Sequence, residues 1–228
     1  MFKRLLVLIF ISSSLPLLAA LEHGEANAML ADPALSDIEA LLQQRNENSG
    51  QFQQRKTLPG LNQPLLSSGE YLIDQQRGMV WQQQRPFTDT LVIRAGKLFH
   101  YQQGEYSLSD APEAYASMVT MLLDGLLAGQ VVALSSQGVL DAQIEQQHWR
   151  VELIPSVSPL NQLFAQIHIV GNKGCVTQID LLEQQGGETR ISLSCNNNSS
   201  DLGNESRSET LRVLLDGAAA LSTEVDDG

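Results

Sequence analysis

The sequence predicts an α+β domain built on an antiparallel sheet with one apolar face, and three observations carry that prediction. From Gln51 to Cys195 apolar residues recur at every second position, in short runs divided by Gly, Pro and Asn. Before the first run, Ser36-Asp37-Ile38-Glu39 forms a capping box that opens a helix. One segment inside the sheet region, 112–128, has helical spacing instead and is apolar nearly all round.

Taken in order, the first helix carries Ile38, Leu41 and Leu42 as its stripe and is expected to fray over 46–50. Tyr71 and Ile73 share one strand face, with Glu70 and Asp74 opposite. Met79 pairs with Trp81 in the same sense, and Leu91 with Ile93. Gly96 turns the chain into 97–101. The central helix has Pro112 near its first turn and Tyr115, Met118, Val119, Leu122 and Leu126 at i, i+3, i+4 spacing, widened by Met121, Leu123 and Leu127. Gly129 ends it.

Trp149, Val151 and Leu153 then face one way, with His148, Arg150 and Glu152 opposite. A short helix is expected after Pro159, over 161–164. Ile167 and Ile169 alternate with Gln166 and His168. Thr177, Ile179 and Leu181 face Ile191, Leu193 and Cys195 across a hairpin around Gly186-Gly187. Strands of this kind have one apolar and one wet face. Residues 196–228 read as a flexible Asn/Ser-rich tail, with a possible short helix at Leu211, Val213, Leu214 and Leu215.

The chain of 228 residues, 43% hydrophobic and 18% charged, can bury the core of one large domain or at most two small ones. Its formal charge of −12 repels phosphate backbones and anionic lipid surfaces, so nucleic acid is not an expected partner. Lys3 and Arg4 precede an apolar run, Leu5 to Leu18, that is short for a membrane span. Residues 1–28 are therefore expected to be a signal peptide cleaved after 20 or 28, leaving a domain over 29–195. An export signal predicts an oxidising compartment, where the only two cysteines, Cys175 and Cys195, suggest one disulfide. A three-residue turn centred on Gln185 would set them opposite each other, whereas a turn at Gly186-Gly187 would shift them. Two free buried thiols are the alternative.

Catalytic and metal motifs are missing. His23, His100, His148 and His168 have no metal-ligand spacing, and there is no G-x-S-x-G elbow or phosphate-cradling glycine loop. The sequence therefore predicts neither an enzyme nor a cofactor. What it offers is a wall and a lid: a one-sided sheet beside a Met- and Leu-rich helix. Such a cavity suits acyl chains, because each exposed CH₂ costs roughly 0.8 kcal/mol in water and a long chain on the order of 10 kcal/mol. Contact with cargo is expected from Tyr71, Met79, Trp81, Phe87, Leu91, Trp149, Val151 and Leu153, with Met118, Leu122 and Leu126 facing them from the lid.

The segments Gly50-Gln51-Phe52-Gln53-Gln54, Ser67-Ser68-Gly69-Glu70-Tyr71, Trp81 with Arg85-Pro86-Phe87, Leu91-Val92-Ile93, and Trp149 before Leu153-Ile154-Pro155 follow one another in an order that resembles the LolA-like periplasmic outer-membrane lipoprotein carriers. The likeness runs from about Asp37 to Leu193. It implies an unclosed, curved antiparallel half-barrel with helices forming a lid over an apolar cavity. It also implies a periplasmic monomer that takes acylated lipoprotein or lipid cargo from an inner-membrane release or export complex to an outer-membrane acceptor. The position where the family places a lid-binding arginine holds Gln75, with Arg77 close by on another register, so these two are the expected lid contacts. The cysteine pair and the Asn/Ser-rich tail fall outside the family pattern. A scaffold or interaction protein whose own side chains fill the apolar face is the rival reading.

Overall fold

The computed structural model describes residues 32–44, 47–109, 121–122, 125, 129–195 and 202–219. The chain divides into Met1–Leu30 and Ala31–Gly228, and the fold concerns the second unit. The expected signal peptide and most of helix 112–128, including Met118 and Leu126, lie outside the described residues.

Helix α1 spans Pro33–Leu42, three residues ahead of the expected capping box. Asp32 is the cap: its carboxylate accepts the Ala34 N–H at 2.9 Å, and Pro33 sits where its fixed φ suits a first turn. The chain then enters strand β1, Glu47–Thr57, so residues expected to fray are already paired. The remaining strands are β2 Leu65–Asp74, β3 Gly78–Arg85, β4 Asp89–Arg94, β5 Lys97–Gln102, β6 Glu105–Leu108, β7 Gly138–Glu145, β8 His148–Pro155, β9 Phe164–Asn172, β10 Cys175–Glu183 and β11 Glu188–Cys195. A 3₁₀ segment, Val131–Gln137, precedes β7, and a one-turn helix α2, Leu160–Leu163, precedes β9.

The eleven strands form one antiparallel sheet in the order β6-β5-β4-β3-β2-β1-β11-β10-β9-β8-β7. Two hairpin series meet where β11 returns to pair with β1, setting Phe52 opposite Leu193. The edge strands β6 and β7 do not pair, so the sheet is not closed into a barrel.

One face, here the α1 face, collects the alternating residues expected from sequence: Tyr71, Ile73, Met79, Ile93, Trp149, Val151, Leu153, Ile167, Ile169 and Ile179 are all buried there with Leu35, Ile38 and Leu42 of α1. The opposite face is not uniformly wet. Helix α3, Leu202–Gly217, lies against it, and Leu211, Leu214, Leu215 and Ala218 form a second core with Leu72, Val80, Val92 and Phe99. Those four strand residues stand in one row across β2 to β5. Residues 202–208, expected as linker, are thus helical, because α3 supplies the apolar cover that this row requires.

Ion pairs tie α3 down. Arg212 donates to both Glu47 carboxylate oxygens at 2.6 and 2.9 Å, and Arg207 lies 3.3 Å from Glu70. The Tyr106 hydroxyl donates to the Leu214 carbonyl at 2.7 Å.

Cys175 and Cys195 are bridged, with Cα atoms 6.3 Å apart. The β10–β11 register sets Ile179 opposite Ile191 and Leu182 opposite Glu188, the spacing of a turn centred on Gln185. The expected phase of Cys175 is corrected by a bulge between Val176 and Gln178: Val176, not Cys175, joins the α1-face core, and Thr177 is exposed. The bridge closes a loop across a separation of 20 residues. Cys175→Ser with Cys195→Ser should cost about 3 kcal/mol by the chain-entropy model. Intact-mass analysis should find no alkylatable thiol before reduction and two after it; two thiols without reductant would remove the bridge.

Candidate apolar binding face

The site expectations converge on the α1 face, where strand register aligns them. Tyr71, Trp81 and Leu91 form one cross-strand row, and Ile73, Met79 and Ile93 the next. Phe52 on β1 pairs with Gly69 on β2. Phe52 and Trp81, on the strands flanking β2, stack across it with ring centroids 3.8 Å apart and planes 22° from parallel. Tyr71 lies alongside, its ring centroid 6.2 Å from Trp81, with its hydroxyl donating to the Ser194 carbonyl at 3.2 Å. Phe52 is buried in this stack and stands outside the expected contact residues.

On the other half of the sheet, Trp149, Val151 and Leu153 are buried beneath α1, the 3₁₀ segment and α2, which contribute Ile38, Leu134 and Leu160. The Trp149 indole N–H donates to the Lys173 carbonyl at 2.9 Å. Glu39 joins α1 to the 3₁₀ segment by accepting the Val132 N–H at 2.9 Å. Leu122 is buried in this core, and Met121 packs half-buried against it. Trp81, Leu91, Leu181 and Ile191 are also half-buried, so the apolar part of the face is open along part of its area.

Three expected residues stand elsewhere. Phe87 lies in the turn after β3, 79% exposed, because the chain leaves the ladder at Arg85-Pro86. Gln75 is half-buried in the turn between β2 and β3. Arg77, in the same turn, donates to Asp74 at 2.8 Å and lies 3.3 Å from Asp216 and 3.6 Å from Glu47. Asp216 is on α3, so this arginine braces the α3 face. Burial alone would raise the Asp74 carboxyl, but the Arg77 guanidinium and the N–H groups of Arg77 and Gln76 outweigh it and hold that carboxyl below its ordinary value. Among the described residues no cluster of His, Cys, Asp and Glu could hold a metal ion.

A family model described as outer membrane lipoprotein carrier protein LolA-like matches residues 27–218. The match includes helix α3, so the family's span extends beyond Leu193. No curated protein matches the chain. Among solved structures, a LolA superfamily protein from Nitrosomonas europaea is similar at 8% identity over 72% of this chain and 92% of that one, with a TM-score of 0.41. A putative outer membrane lipoprotein-sorting protein domain from Vibrio parahaemolyticus is similar at 6% identity over 73% and 93%, with a TM-score of 0.38. The lipoprotein LppX of Mycobacterium tuberculosis is similar at 12% identity over 74% and 98%, with a TM-score of 0.36.

Proposed function

The chain belongs to the outer membrane lipoprotein carrier protein LolA-like family, and from that premise we propose that it binds acylated cargo, a lipoprotein or another lipid, against the α1 face and shuttles it across the periplasm. In this reading an inner-membrane release or export complex supplies the cargo and an outer-membrane acceptor takes it. No covalent chemistry is involved: burial of the acyl chain supplies the affinity, at roughly 25 cal/mol per Å² of apolar surface removed from water.

The observation that carries the reading is the half-buried stretch of the α1 face, with Trp81 and Leu91 paired in one row on an otherwise buried apolar surface. An acyl chain laid there replaces water against side chains that are already held in place by the Phe52–Trp81 stack. The filled-core rival draws on one observation too: Trp149, Val151 and Leu153 are fully covered by the chain's own side chains.

An environment-sensitive fluorescent fatty acid separates the two. The purified chain should bind it saturably. Leu91→Asp, a charge at a half-buried site, should weaken binding about tenfold or more while the chain stays folded. Leu122→Asp should weaken it as well, with a larger loss of stability because Leu122 is buried. Absence of saturable binding by any acyl probe would leave the filled-core reading standing.

A further inference from the structure

The α3 face carries a second feature, at the end of the sheet where β1 finishes and β2 begins. A cleft in two joined parts, about 410 and 530 Å³, is walled by β1, β2, β3 and β11. Its parts share Gln53, Ser68, Arg85 and Ser192. Register explains the lining: Ser192, Gln53, Ser68 and Arg85 form one cross-strand row, and Arg190, Arg55 and Leu66 the next.

Arg55 and Arg190 are therefore like charges directly opposite each other, an arrangement that destabilises a sheet unless it is compensated. Arg190 is compensated: it donates to Asp180 at 2.7 Å and to Glu188 at 3.0 Å. The neighbouring carboxylate of Glu183 is held by Lys56 at 2.8 Å. Among the described residues neither Arg55 nor Arg85 has an ion pair, and both are exposed. In a chain with 26 acidic and 14 basic residues, two unneutralised guanidiniums facing one cleft are not part of the general charge balance. With them stand the amides of Gln53 and the hydroxyls of Ser68 and Ser192, all able to donate.

We propose that this cleft binds a phosphate group, carried on a phospholipid headgroup or free, through Arg55 and Arg85. The planar guanidinium fork matches phosphate oxygens, and a bound anion supplies the counter-charge that Arg55 and Arg85 lack. The surroundings favour the headgroup as the source. Leu66 in the cleft wall is 64% exposed, and Leu61, Leu65 and Phe87 are exposed in segments at the same end of the sheet. The overall charge of −12 opposes adsorption to an anionic surface, so attachment would depend on this local patch. The site lies on the opposite face of the sheet from the acyl-binding face, and the two are tested separately.

The full chain is floated with phosphatidylcholine vesicles, with and without phosphatidylglycerol, and titrated calorimetrically with inorganic phosphate. Phosphatidylglycerol-dependent flotation that falls tenfold or more, on the order expected for two arginines, in Arg55→Gln with Arg85→Gln identifies a headgroup site. Saturable phosphate binding lost in the same double variant, without vesicle binding, identifies a free-phosphate site. Both substitutions are at exposed positions, and thermal unfolding of the variant should match the parent. Arg150→Gln, an exposed arginine of the same face outside the cleft, should leave both readouts unchanged. The proposal is overturned if neither ligand binds, if the double variant binds as the parent does, or if Arg150→Gln lowers binding as much as the double variant does.

Discussion

Leu215→Ala should destabilise the chain by about 2–5 kcal/mol, the range for truncating a buried leucine. Leu215 is fully buried between helix α3 and the row Leu72, Val80, Val92 and Phe99. Those four residues sit on strands whose other face is already committed to the α1 core, so they have no alternative cover within the sheet. Removing the leucine leaves a cavity that the ion pairs of Arg212 with Glu47 and Arg77 with Asp216 hold open, because they fix the helix at its distance from the strands. Val213, on the same helix but 63% exposed, is the internal control, and Val213→Ala should change stability by less than about 0.5 kcal/mol. Urea unfolding followed by circular dichroism reads both. An unchanged midpoint for Leu215→Ala would mean that α3 is not part of the folded unit. Acyl-probe binding measured well below the midpoint should survive the substitution, since α3 covers the face opposite the proposed site.

The α1 face was legible because its signal is pure alternation: Trp149, Val151 and Leu153, or Ile167 and Ile169, can share a face only one way. The α3 face was also marked in the sequence, by residues of the other parity. Leu72 lies between Tyr71 and Ile73, Val80 between Met79 and Trp81, and Val92 between Leu91 and Ile93. Apolar residues of both parities mark strands covered on both sides. The covering element was marked too, since Leu211, Leu214, Leu215 and Ala218 follow i, i+3, i+4, i+7 spacing. The Asn- and Ser-rich stretch ahead of them has the composition of a tail, which masks the helical spacing that follows.

Other features had no local signal. The bulge at Thr177 depends on how β9 meets β10, and the Phe52–Trp81 stack depends on two strands meeting across a third. The turn spacing that sets Ile179 opposite Ile191 could be counted from the sequence, but only as one of two possibilities until the ladder selected it.

Trp149 should prove to be the other large contributor, and its partner is a glycine. The two residues pair directly across β8 and β9, and the indole lies over Gly171. A Cβ added at Gly171 would fall 2.0–2.6 Å from the Cζ2, Cε2 and Cη2 atoms of the ring. Gly171 is not among the glycines with positive φ, so alanine meets no backbone penalty and any cost is steric. Gly171→Ala must push the indole aside and break its 2.9 Å bond to the Lys173 carbonyl. Overpacking of this kind costs about 1–3 kcal/mol, and Trp149→Ala itself about 3–5 kcal/mol. The two effects should not add. With the ring gone, the methyl at position 171 enters empty space, so Gly171→Ala in the Trp149→Ala background should cost close to nothing. The resulting coupling, about 1 kcal/mol or more in a double-mutant cycle, is a quantity that general strand destabilisation would not produce. Strict additivity would show that the indole does not rest on Gly171, and with it would go the reason for a glycine at this end of β9.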